Sequence, residues 1–329
     1  MPTPFPKHSI FLGIIIGCFL FACGLKTTTE SPSESRGWVS LAHDSDKNIK
    51  ALAFLDEKRG WAAGAEGIMF ATEDGGNAWV LRQTGTTETL FALALTAGGR
   101  LFAAGAAGTI QYSDDGGVTW IPVASGTDAR LGGLAFPGNG LGVAVGVTGT
   151  ILRSLDDGET WTAVVSGTSA NLSAVAFPSP DTGYAVGDSG NILKTVDRGG
   201  TWTKQENPFF ESLGWYAVHF TDGRHGYAAG QDSIVLKTTD GGIHWQALNK
   251  VPVQGILALH FHTAEEGWAA GDFGKICKTT DGGISWKIQP IVGRDTGNTI
   301  WAMFFHDDQL AWAAGEHGAL LKTSDGGGR

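Results

Sequence analysis

The sequence predicts an all-β fold: a seven-bladed β-propeller with four antiparallel strands per blade. Three observations predict it. Tryptophans closing a turn of pattern S/T-x-D-x-G-x-T-W stand at Trp79, Trp120, Trp161, Trp202, Trp245 and Trp286, spaced 41 residues apart and once 43. A fixed period near 40 marks a repeat architecture. A second signature keeps the same beat in seven copies, among them "WAAGAEGIMFAT" from Trp61, "YAVGDSGNILKT" from Tyr184 and "WAAGEHGALLKT" from Trp312. Glycine makes up 50 of 329 residues without a collagen period, which means many turns and many short strands.

Each period holds four short runs. The first, such as "ALAF" or "LALAL", is small and aliphatic, as crowding about a central axis requires. The "WAAG" run follows, then "GxIxxT", then the run that begins at the tryptophan. Gly and Asp-Gly punctuation separates them as hairpins require, and four antiparallel strands repeated seven times make a propeller.

The turn motif reads as structural. Its aspartates are Asp74, Asp115, Asp156, Asp197, Asp240, Asp281 and Asp325. A carboxylate can bond nearby backbone N–H groups, and glycine permits the positive φ of a tight turn. The tryptophan staples its blade by burial. The seventh copy, "KTSDGGGR", has no tryptophan. Counting back 41 from Trp79 gives Trp38, which no such turn precedes. The N-terminal strand at Trp38 is therefore expected to complete the last blade and remove its open edge.

Residues 1–22 read as a signal peptide, 23–36 as a polar tether and 37–329 as the propeller. Lys7 and His8 precede the apolar run 10–22, too short to span a bilayer but suited to a signal-peptide core. "LFAC" at Leu20 to Cys23 resembles the lipobox of bacterial lipoproteins, making Cys23 the lipidated N-terminus; a plain signal peptide cut slightly later is the other reading. With Cys23 lipidated, Cys277 has no partner for a disulfide, and it stands where other repeats carry leucine, as a small core residue. A formal charge of −10 disfavours a nucleic-acid partner.

These motifs resemble the Asp-box (BNR) repeats of sialidases, of sortilin-type receptors and of the photosystem II assembly factors called Ycf48 in cyanobacteria and HCF136 in plants. The match to the last group covers residues 37–329. The resemblance implies a non-enzymatic, monomeric scaffold without cofactor. It would face the periplasm, the cell exterior or the thylakoid lumen, and it would bind a protein client such as a newly made membrane subunit. Photosynthetic members are expected to hold their client on an arginine-rich patch; here the arginines are spread over the blades.

The rival function is a carbohydrate-binding or sialidase-like propeller. The Arg-Ile-Pro signature of sialidases is absent, the one Ile-Pro lying at Ile121, and Tyr184 and Tyr227 fall where Trp61 and Trp268 stand in other blades. No metal site is expected. His219, His260 and His306 read as corresponding points on three inner strands, and "HFH" at His260 and His262 is the nearest approach to a ligand pair.

The resemblance also places ligands on the face opposite the Asp-box turns, built from second-to-third-strand turns and blade-to-blade loops. The turns offer Glu66, Asp188, Asp232, Asp272, Phe273, Glu316 and His317. The long loops 205–214 and 289–299 are expected to bring Phe209, Phe210, Trp215 and Trp301 to that side. Tyr216 reads as the one exposed tyrosine. Phe209, Phe210, Trp215, Tyr216, Phe273, Trp301 and His317 form the candidate partner-binding set, since long loops on a rigid scaffold carry function.

Overall fold

The structure, a computed structural model, describes residues 37–41, 45–209 and 212–328. Residues 1–36, on which the signal-peptide, Cys23 and tether expectations fall, and Phe210 lie outside them.

The described residues form seven sheets. In the first blade the strands Ile49–Phe54, Gly60–Gly64, Met69–Thr72 and Val80–Arg82 pair in sequence order, the first innermost. The inner strands of the next five are Leu90–Leu95, Leu131–Gly138, Leu172–Ala176, Trp215–Phe220 and Ile256–Phe261, and the seventh is Ile300–Phe305. Each inner strand neighbours the next around the axis, and the seventh neighbours the first. The period thus gives the blades, and the ring is closed.

Closure joins the two ends of the chain. Trp38–Ser40 pairs antiparallel with Leu320–Thr323, Val39 opposite Lys322. Trp38 is fully buried and meets Phe305 edge to face. Asp325 completes the seal. In a regular copy such as Asp115, the carboxylate accepts from Ser113 Oγ at 2.8 Å, from Thr119 N at 2.9 Å and from Thr119 Oγ1 at 2.7 Å. In the last copy, Thr323 Oγ1 and Gly328 N donate to Asp325 Oδ1, and Gly37 N donates to Oδ2 at 3.2 Å. Gly37 precedes Trp38 as Thr119 precedes Trp120, so the N-terminal segment occupies the place of the missing residues.

One expectation about the long loops is corrected here. The loop 289–299 does not lie wholly over the ligand face. Its Ile291–Val292 pairs parallel with Trp38–Ser40 as a fifth strand, and Ser40 Oγ accepts from Asp295 N at 3.2 Å. The loop spends its length covering an edge that would otherwise be open.

Packing between blades also departs from expectation. The motif tryptophans are buried at Trp161, Trp202 and Trp245 but only partly so at Trp79, Trp120 and Trp286. The stronger link comes from the residue that opens the "WAAG" run, an aromatic in six of the seven blades and Val143 in the third. Trp61 Nε1 donates to Gly116 O at 2.8 Å, Trp268 Nε1 to Gly326 O at 3.0 Å and Trp312 Nε1 to Gly75 O at 2.9 Å. The Tyr184 and Tyr227 hydroxyls donate to Gly241 O and Ala264 O, both at 2.7 Å. Each partner belongs to the following blade. A buried ring whose polar tip is satisfied across the interface joins two blades through burial and a hydrogen bond. Cys277 is fully buried, and burial pushes its thiol up to about 12, as a core residue and not a nucleophile.

Candidate functional site

The face opposite the Asp-box turns is organised by one backbone feature. In all seven blades the pairing of inner and second strands skips a residue after its first pair: Ile49 opposes Gly64, and Ala51, not Lys50, opposes Ala63. The same shift recurs at Phe91, Gly132, Ser173, Tyr216, Leu257 and Trp301. A bulge leaves one residue unpaired and re-aims its side chain. These bulged residues line a cavity of about 380 Å³ at the mouth of the central channel, together with Arg130, Asn171 and Asp188.

The bulge depends on a close backbone approach. A Cβ on Gly271, the last residue of its "WAAG" run, would stand 1.7 Å from the Gly255 carbonyl oxygen. Only glycine lets the chain entering the inner strand cross there.

The electrostatics of the mouth are those of two cations on aromatic rings. Lys50 Nζ lies 2.8 Å above the Trp301 ring centroid, and the Arg130 guanidinium 5.2 Å from that of Phe91. Burial, opposed by Glu316 and assisted by Arg130, pulls the Lys50 ammonium down to about 8. The nearby acids are engaged: Asn171 Nδ2 donates to Asp188 Oδ2 at 2.9 Å, and Thr299 N to Glu316 Oε2 at 3.2 Å. Below the mouth the channel wall is aliphatic, with Leu52, Leu93, Leu134 and Met303 among its residues.

Around the mouth stand the tips of the second-to-third-strand turns. Each middle residue is left-handed, including Glu66, Asp232, Phe273 at φ 60° and His317 at φ 51°. A phenylalanine in this region is unusual, and Phe273 is 63% exposed. His317 is exposed as well, its backbone N–H bonded to Asn48 Oδ1.

The candidate set divides accordingly. Tyr216 and Trp301 line the mouth, while Phe273 and His317 stand on its rim. Trp215 does not belong: it is fully buried, and Phe209 packs against it edge to face with centroids 6.2 Å apart. Trp215 opens its inner strand as Ile256 does 41 residues later, so the alternation sends it into the core. Lys50 and Phe91 were missed, because nothing in an alternating run of side chains announces a bulge, and Arg130 was missed because it lies in the loop just before its inner strand. A larger cavity of about 850 Å³ lies at the outer edge of the first blade, beside Lys47, Trp79 and Arg82.

The histidines sit near the opposite end of the channel. His219 and His260 hold the fifth position of their inner strands, but that position in the seventh blade is Phe304. His306 instead matches His262 in the following turn: His306 N donates to Leu310 O as His262 N does to Glu266 O. The His219 and His260 rings lie 4.6 Å apart, and His219 Nε2 contacts Phe261 O at 2.8 Å. Burial holds them well below the usual 6.5, at about 4 and about 3. Well above pH 6.5 both are neutral whether folded or not. As pH falls from 6.5 toward 4 the unfolded chain takes up protons that the fold refuses, and stability is lost. The double variant His219→Ala, His260→Phe, using the residues of the first and seventh blades, should show a smaller drop in melting temperature between pH 7 and pH 4.5. Equal drops would assign the acid sensitivity elsewhere.

Comparison with known proteins decides the family. Residues 30–124, 123–196, 154–254 and 249–324 match the family described as photosynthesis system II assembly factor YCF48. The chain belongs to this family. No curated protein sequence matches it. Among solved structures, YCF48 from Cyanidioschyzon merolae superposes with a TM-score of 0.73 at 20% identity, covering 87% of this chain and 98% of that one. A YCF48 bound to D1 peptide gives 0.71 at 19% identity, with 89% and 99% covered. Virginiamycin B lyase from Staphylococcus aureus gives 0.71 at 15% identity, with 87% and 98% covered. At these identities the structures share the fold, and family membership rests on the sequence match.

Proposed function

We propose that this YCF48-family chain is a non-enzymatic assembly factor that holds a protein client on its channel-mouth face. The observation that carries the reading is the family match over nearly the whole propeller. The solved relative bound to D1 peptide supports a client that is a photosystem II subunit. The chemistry of the mouth agrees. Its groups are cations on aromatic rings and acids already bonded to neighbours, an arrangement for binding and not a nucleophile paired with a base. A sugar stacking inside the mouth would compete with the cations that already lie over the Trp301 and Phe91 rings.

The client test is capture from native membranes by the full chain. Recovery of photosystem II subunits is the expected result. Recovery of none, with signal instead on a glycan array or in a hydrolysis screen, would replace this reading with the carbohydrate one.

The same reading places the propeller on the non-cytoplasmic side, tethered by lipid on Cys23. Cys23→Ser should release the protein from the membrane with an unchanged melt, because the lipid is lost and the fold untouched. A variant retained as tightly as the parent, leader still attached, would indicate an uncleaved anchor.

A further inference from the structure

Six of the seven blade junctions carry an aromatic link, and one does not. Trp61, Tyr184, Tyr227, Trp268 and Trp312 each bond a carbonyl of the following blade, and Phe102 packs on Phe136 of the third blade with centroids 4.5 Å apart. Between the third and fourth blades the corresponding residue is Val143. Among the described residues no ring contact joins these two blades. Phe177 stands where Phe220 and Phe261 receive a tyrosine ring at 4.0 and 3.5 Å, but it meets only Trp202, of its own blade.

A side chain of another kind has taken over the hydrogen bond. Arg153 Nε donates to Arg198 O at 2.7 Å. Arg198 follows Asp197 as Gly75, Gly116, Gly241 and Gly326 follow their own turn aspartates, so the acceptor is the one that the rings use elsewhere. Arg198 returns a bond to the third blade, Nη2 to Asn139 O at 2.7 Å. A guanidinium on a long stem has more rotamer freedom to lose than a ring and buries no aromatic face. The third inner strand is also the most compliant. It contains Gly132 and Gly133, which weaken a strand, and its ladder shifts register twice where each other inner strand shifts once.

We propose that the ring opens between the third and fourth blades, with Arg153 and Arg198 serving as a detachable latch in place of a buried aromatic ring. Local opening of this kind occurs where buried apolar contacts are fewest. At the mouth, Arg130 and Asp188 stand on the two sides of this seam, so opening it moves them apart.

The test exploits a natural thiol. Leu193 and Cys277 hold matching buried positions in the fourth and sixth blades, the first at this seam and the second at the junction that Tyr227 links. Leu193→Cys therefore places two equivalent thiols in one full chain. Global unfolding exposes both alike, whereas opening of the seam exposes only the thiol at position 193. Alkylation by iodoacetamide, followed peptide by peptide by mass spectrometry, should modify position 193 about tenfold or more faster than Cys277. Adding Val143→Tyr, the residue of the fourth and fifth blades, should bring the two rates together. Adding Arg153→Met should widen the difference. Equal rates in Leu193→Cys, or a ratio left unchanged by Val143→Tyr or by Arg153→Met, would overturn the proposal. If Leu193→Cys does not fold, Ala185→Cys, buried in the same cluster, carries the same comparison.

Discussion

A chain lacking residues 1–41 is expected to melt far below one lacking only residues 1–36. The longer deletion removes Trp38, which is fully buried, and with it the strand that pairs with Leu320–Thr323. Loss of a buried tryptophan alone costs roughly 3–5 kcal/mol. Here Ile291–Val292 also loses the strand it covers, Asp325 loses the Gly37 amide, and the last sheet regains an open edge. The shorter deletion leaves all of these contacts in place and serves as the control. Thermal unfolding of the two truncations decides the matter. Equal melting temperatures would show that the two ends of the chain do not hold the ring.

Trp312→Ala is the point substitution with the largest expected effect. The Trp312 ring is fully buried, stacks on Phe54 with centroids 3.8 Å apart, and donates Nε1 to Gly75 O at 2.9 Å. It thus joins the seventh blade to the first, the junction where the chain begins and ends. Truncation to alanine leaves a cavity and an unpaired carbonyl, costing roughly 3–5 kcal/mol, which lowers the melting temperature by roughly 10 °C in a domain this size. Trp312→Phe keeps the stack and loses mainly the hydrogen bond, about 1 kcal/mol, and phenylalanine is what the second blade uses at Phe102. An alanine variant melting within two or three degrees of the parent would show that the seventh and first blades are held elsewhere.

The blades and the seal were legible because period and composition determine them. Trp38 was placed by counting back one repeat, and it pairs where the count puts it. Trp215 was misplaced for want of the same count: Ile256 stands 41 residues later at the first position of an inner strand, and the burial of that position carries over. Lys50, Phe91 and Arg130 could not be found that way. Their convergence depends on the closure of the ring and, for Lys50 and Phe91, on a skipped pair in the ladder, and neither leaves a mark in the residue alternation. Loop 289–299 was recognised as long, but its length serves an edge, and only the pairing of Ile291 with Trp38 reveals that.

The seal by Asp325 also has a consequence for synthesis. Gly37 and the carboxylate that holds it are 288 residues apart in sequence. At about 5–20 residues per second a ribosome needs roughly 15–60 s to connect them. Until Ile291–Val292 and then Leu320–Thr323 are made, the earliest strand of the domain has no neighbour to pair with, while the blades after it can already fold. Trp38 must therefore be kept from wrong partners for longer than any other core residue, and the last ladder to form is the one that makes the ring whole.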